Sequence, residues 1–102
     1  MASIVVGTTP NITYTFKSVS VSNIVTAILT GKKNNSEVLR KTLDDATVGD
    51  TRLSWKLSQA DTLAVGDGTA SCMLNWVTGD GTRGVSEEMT LTFISNHIEE
   101  VI

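Results

Sequence analysis

The chain has 102 residues, 40% of them hydrophobic, with 8 basic and 11 acidic side chains and a formal net charge of −3. That length fits one domain, and the single cysteine, Cys72, rules out an internal disulfide. The negative balance excludes an electrostatic nucleic-acid footprint, because Lys17, Lys32, Lys33, Arg40, Lys41, Arg52, Lys56 and Arg83 are scattered rather than clustered.

Met1 to Thr9 carries Ile4, Val5 and Val6 ahead of Gly7 and the only proline, Pro10. Residues 1–9 read as an edge strand or as an arm that adds to a neighbour's sheet. The segment lacks the charged and long apolar regions of a signal peptide, and no run of about 18 apolar residues is present to span a bilayer. The expectation is therefore synthesis in the cytoplasm without membrane insertion.

Asn11 to Lys17 alternates Ile12, Tyr14 and Phe16 with Thr13 and Thr15, the period of a strand with one buried face. Ser18 to Asn23 is a polar connection whose Val19 and Val21 dip toward the core. Ile24 to Thr30 is the next strand, with Val25, Ala27 and Leu29 on one face. Gly31 to Ser36 has turn chemistry, and Glu37 to Leu43 resumes as a strand with Val38 and Leu39. Asp44 to Asp50 is an acidic loop. Thr51 to Leu57 then puts Leu53, Trp55 and Leu57 inward. Ser58, followed three residues later by Asp61, is a helix-capping signature for a single turn.

Gly68 to Phe93 is a long hairpin. Its first limb sets Ala70, Cys72, Leu74 and Trp76 on one face; its second sets Val85, Met89, Leu91 and Phe93 on one face and Ser86, Glu88, Thr90 and Thr92 on the other. Thr78 to Thr82, with Gly79-Asp80-Gly81, supplies the reversal. Glu87 shares the inward parity, so either the core begins after it or a bulge near Gly84 resets the strand. Residues 95–102 form a tail with Ile98, Val101 and Ile102, aliphatics that need a cover.

Six or seven strands joined by turns every eight to fifteen residues, with one helical turn, describe an all-β chain. The spacing favours a single β-sandwich domain of the immunoglobulin-like kind, about seven antiparallel strands over residues 1–102. The usual inter-sheet cysteine pair is absent, which leaves Trp55 or Trp76 to fill the core.

Candidate chemistry is sparse. His97 is the only histidine and stands in the tail, so a triad needs that tail folded over a pocket. Cys72 has inward parity and reads as a core residue rather than a nucleophile. Asp44, Asp45 and Asp50, or Asp67 and Asp80, do not match the calcium-loop spacing. Tyr14, Phe16, Trp55 and Trp76 are a stacking platform only if exposed; their aliphatic neighbours make them core. No catalytic, cofactor or metal site is expected.

From Gly7-Thr8-Thr9-Pro10 into Ile12-Thr13-Tyr14-Thr15-Phe16, through Val38 to Leu43 and Leu53-Ser54-Trp55-Lys56-Leu57-Ser58-Gln59-Ala60-Asp61-Thr62-Leu63, the chain resembles a known group. The pattern continues to Trp76, the Gly79-Asp80-Gly81-Thr82 turn, Val85-Ser86 and Leu91-Thr92-Phe93. It is similar to the immunoglobulin-like domains of tailed-phage virion proteins, in particular the N-terminal domain of baseplate upper proteins of phages of Gram-positive bacteria. The resemblance implies a non-enzymatic structural component of the virion that binds copies of itself and other virion proteins. The sequence stops at residue 102 instead of running on into a fibre, which widens the expected position from tail tip or baseplate to neck or capsid. Ile4, Val5, Val6, Ile98, Val101 and Ile102 are the expected assembly contacts. The alternative is a capsid decoration or carbohydrate- or cell-surface-binding module, favoured if exposed aromatics line a groove.

Overall fold

A computed structural model describes residues 2–17 and 19–98. Two sheets face each other across one core. The larger contains β1 (Ala2–Val5), β9 (Met89–Ile94), β7 (Gly68–Thr78), β3 (Ile24–Lys33) and β4 (Ser36–Thr42) in that order, with β8 (Arg83–Val85) also on β7. The smaller runs β2 (Asn11–Thr15), β6 (Arg52–Lys56), β5 (Thr47–Val48). Three-residue 3-10 turns cover Val21–Asn23 and Leu43–Asp45, and α1 spans Gln59–Val65.

This strand order is immunoglobulin-like. The second, fifth and sixth strands make one sheet, while the third, seventh and ninth make the other, extended by a fourth strand at its edge as in variable-type domains. One pairing departs from the all-antiparallel expectation: β1 runs parallel to β9, from Ala2↔Leu91 to Val5↔Ile94. The segment before Gly7 is thus an edge strand of its own sheet.

Trp55 fills the core, 1% exposed, and its indole N–H donates to the Thr42 carbonyl at 2.9 Å. Around it the buried cluster includes Ile12, Leu29, Leu53, Leu57, Cys72, Leu74, Leu91 and Phe93. Cys72 is a free, buried thiol, and burial pushes its pKa up to about 11. Leu53, Trp55 and Leu57 alternate inward as their sequence period requires.

Several boundaries and parities differ from the sequence reading. β3 continues to Lys33, and the reversal before β4 needs only Asn34 and Asn35, at φ 54° and 65°. That is a two-residue hairpin turn, for which asparagine pays little at positive φ. A bulge between Ile24 and Thr26 turns Val25 outward and Ile24 inward. In the return strand, Ser86, Glu87 and Glu88 lie opposite only Met73 and Leu74, between the pairs Asn75↔Val85 and Cys72↔Met89. The extra residue sits after Val85 rather than near Gly84. It leaves Glu87 exposed and reverses Val85, which is exposed instead of sharing the face of Leu91 and Phe93.

α1 is longer than a single turn. Ser58 caps it, accepting from the Asp61 N–H at 3.1 Å, while the Asp61 carboxylate accepts from the Ser58 N–H at 2.9 Å. The helix also secures the chain after β1. Thr62, fully buried, accepts from the Gly7 N–H and donates to the Thr8 carbonyl, both at 2.9 Å. Asn96 Nδ2 donates to the Val6 carbonyl at 2.9 Å from the other side.

Candidate functional site

Three surface features are built by this topology. The first is the β1 edge. Because Ile4 and Phe93 are paired and both buried, the next pair in the parallel register, Val5 and Ile94, faces outward together. Val5 is 41% exposed, Ile94 48% and Ile98 47%. Of the expected assembly contacts, Ile4 and Val6 belong to the domain's own core, Val5 and Ile98 are exposed, and Val101 and Ile102 lie outside the described residues. Ile94 joins them, although the sequence reading passed over it. The opposite edge of the same sheet, β4, carries Glu37, Arg40 and Lys41, the charged guard that sheet edges commonly wear. β1 has none.

The second feature is a groove of about 530 Å³ where β2 ends and the return strand breaks. Its apolar wall is Tyr14, Phe16, Leu74, Trp76 and Met89. The rings of Phe16 and Trp76 meet edge to face at 5.1 Å, and Tyr14 meets Trp55 the same way at 6.3 Å. Trp76 stands on Gly84, its cross-strand partner. Thr15, Lys17, Ser86, Glu87 and Glu88 complete the lining. The Ser86 hydroxyl accepts from the Leu74 N–H at 2.9 Å and donates to the Glu87 carbonyl at 3.0 Å, which holds the broken strand against β7. Burial raises the Tyr14 pKa above the ordinary 10.0, with the nearby Ser86 hydroxyl pulling the other way, and among the described residues the buried Tyr14 hydroxyl has no hydrogen-bond partner. Of the four aromatics read as core, Trp55 and Phe16 are buried, whereas Tyr14 and Trp76 are only partly covered and front this groove.

The third is a cleft of about 590 Å³ between the β2–β3 connection and the β7–β8 turn, lined by Ser20, Ser22, Asn23, Val25, Thr78 and Asp80 among others. Asp80 accepts from the Thr78 hydroxyl and from the Thr82 N–H, and these bonds hold its carboxyl below the usual range. The aspartate is thereby turn chemistry first.

His97 is exposed. Among the described residues no three of His, Cys, Asp and Glu gather as a metal-holding group. Asp45 closes a cap on Thr42, and the Asp67 carbonyl accepts from the Lys33 ammonium, which also reaches the Val65 carbonyl at 3.1 Å.

No known family profile matches the sequence, and no curated protein matches it. Two solved immunoglobulin-type structures align with the chain. The V domain of amphioxus IgVJ-C2 is 15% identical, with 91% of this chain and 99% of that one covered at a TM-score of 0.39. Murine CRIg is 12% identical, with coverages of 93% and 91% and a TM-score of 0.41.

Proposed function

We propose that the chain is a non-enzymatic, immunoglobulin-like assembly module, a structural component of a tailed-phage virion at the tail tip, baseplate or neck. The observation that supports this reading is the uncharged β1 edge with the exposed pair Val5 and Ile94 on it. An exposed aliphatic pair on an unguarded strand edge is costly in an isolated domain and useful in an assembly, where a neighbouring copy or another virion protein covers it. The resemblance to phage virion domains read from the sequence is the ground for placing that assembly in a virion.

The test is solution mass by light scattering. Deleting the residues before Gly7 is unsuitable, because it removes Ile4 and Val6 from the core. Val5→Asp and Ile94→Asp change only the outward face. A discrete oligomer of the parent that falls to about the 10.9 kDa monomer in the double variant supports assembly through this edge. A parent that stays monomeric and gains no partner mass when mixed with virion proteins of its own phage refutes it.

The second reading is a capsid decoration or glycan- or cell-surface-binding module. It draws on the loop cleft, where Asn23 stands beside the mutually bonded hydroxyls of Ser20 and Ser22, groups that exchange hydrogen bonds with sugar hydroxyls. Binding to purified host cell-wall glycan that Asn23→Ala and Ser22→Ala abolish favours this reading over the first.

A further inference from the structure

The groove beside Trp76 takes no part in the β1 edge, and its lining has a definite chemical sense. We propose that it docks a basic side chain, arginine or lysine, presented by a loop of a partner protein. Phe16, Leu74 and Met89 offer an apolar wall for a methylene stem. Tyr14 and Trp76 supply aromatic surface that attracts a cation. Glu87 and Glu88, exposed where the broken strand carries its one extra residue, line the groove where a charge can be received. Among the described residues neither glutamate has an ion-pair partner; the pairs formed are Arg40 with Glu37 and Lys41 with Asp61. Among the described residues Lys17 is the one cation on the lining, so two carboxylates against one amine leave it net negative.

The break in the return strand is what makes this site. A regular strand pairing with β7 from Arg83 to Ile94 has no residue to spare at Ser86–Glu88, and the two adjacent glutamates point to opposite faces. The bulge instead leaves both on the lining of one groove. Bulges are common where a strand must re-aim side chains for binding. A protein-borne cation fits better than a free amine. A free amine surrenders all its translational freedom for a few contacts, whereas a side chain held by a docked body has already lost most of it. The proposal stands on the groove alone, whichever of the two functional readings holds.

The experiment uses the full chain and two probes of one shape, N-acetyl-arginine amide and its neutral analogue N-acetyl-citrulline amide. The readout is the indole N–H resonance of Trp76, assigned by comparison with Trp76→Phe. Trp55, whose indole is bonded to Thr42, is the internal reference. The arginine probe is expected to shift the Trp76 signal saturably, with a dissociation constant on the order of 1–10 mM for so small a fragment. Glu87→Gln with Glu88→Gln is expected to weaken it about three- to tenfold, with the Trp55 signal unmoved as proof of an intact fold. Equal shifts from the citrulline probe, or none up to about 100 mM arginine probe, a hundredfold above a 1 mM constant, overturn the proposal.

Discussion

Trp76 and Gly84 are cross-strand partners so close that a Cβ on the glycine would stand 2.4 Å from Cε2 and Cζ2 of the indole. The groove wall therefore depends on a residue with no side chain. Gly84→Ala must push the ring away or bend the strand, and in doing so it loosens the edge-to-face contact with Phe16. The expected cost is about 1–3 kcal/mol, the usual range for overpacking, read as a lower denaturation midpoint at unchanged m-value. An alanine variant as stable as the parent would mean that the indole moves aside freely.

Tyr14 makes the opposite case. Its hydroxyl is buried and, among the described residues, unsatisfied, so it contributes a desolvation cost and no bond. Tyr14→Phe is expected to leave stability unchanged or raise it by up to about 1 kcal/mol, measured by urea unfolding. A loss beyond about 1 kcal/mol, the worth of a typical hydrogen bond, would reveal a partner for the hydroxyl.

Cys72 predicts an alkaline limb to the stability profile. Its folded pKa of about 11 lies above the ordinary 9.0, so the folded state holds the thiol proton more tightly than the unfolded chain. The associated stability is complete below pH 9.0 and is lost as pH rises toward 11. Two pH units correspond to roughly 2–3 kcal/mol. Cys72→Ala should be less stable at neutral pH from lost packing, yet flatter between pH 9 and 11. The native thiol should also resist thiol reagents at pH 8, reacting no faster than the protein unfolds.

Asp61 contributes to the acid side. Burial alone would raise its pKa, but the Ser58 N–H and the Lys41 ammonium at 2.9 Å outweigh burial and hold it below the ordinary 3.8. Its stabilisation is present above pH 3.8 and disappears as pH falls through the folded value. Ser58→Ala should cost about 1 kcal/mol at neutral pH through the lost cap. Asp61→Asn should lower stability at neutral pH and reduce the loss of stability on acidification below pH 4, as followed by circular dichroism.

What the sequence discloses and what it hides divide along local and non-local causes. Leu53, Trp55 and Leu57 were legible because β6 is regular and central in its sheet, so strict alternation holds. Ser58 and Asp61 were legible because a capping box is complete within four residues. Val25 and Val85 were misplaced because each adjoins a bulge, and one inserted residue reverses every parity beyond it. The pairing of β1 with β9 leaves no mark in either segment, since it joins residues about ninety apart in the chain. The groove was hidden for the same reason. Its aromatics carry the alternation of core residues, and only the gap left by the broken strand uncovers them.

The parallel register of β1 with β9 also has a mechanical consequence. Chain tension that enters at Ala2 and leaves beyond Ile94 pulls the two strands along their common axis in opposite directions. Every backbone hydrogen bond from Ala2 to Val5 is then loaded at once in shear, whereas a hairpin pulled from its open end would unzip one bond at a time. The domain resists stretching between Ala2 and Ile94 through the four-residue pairing at one edge of its larger sheet.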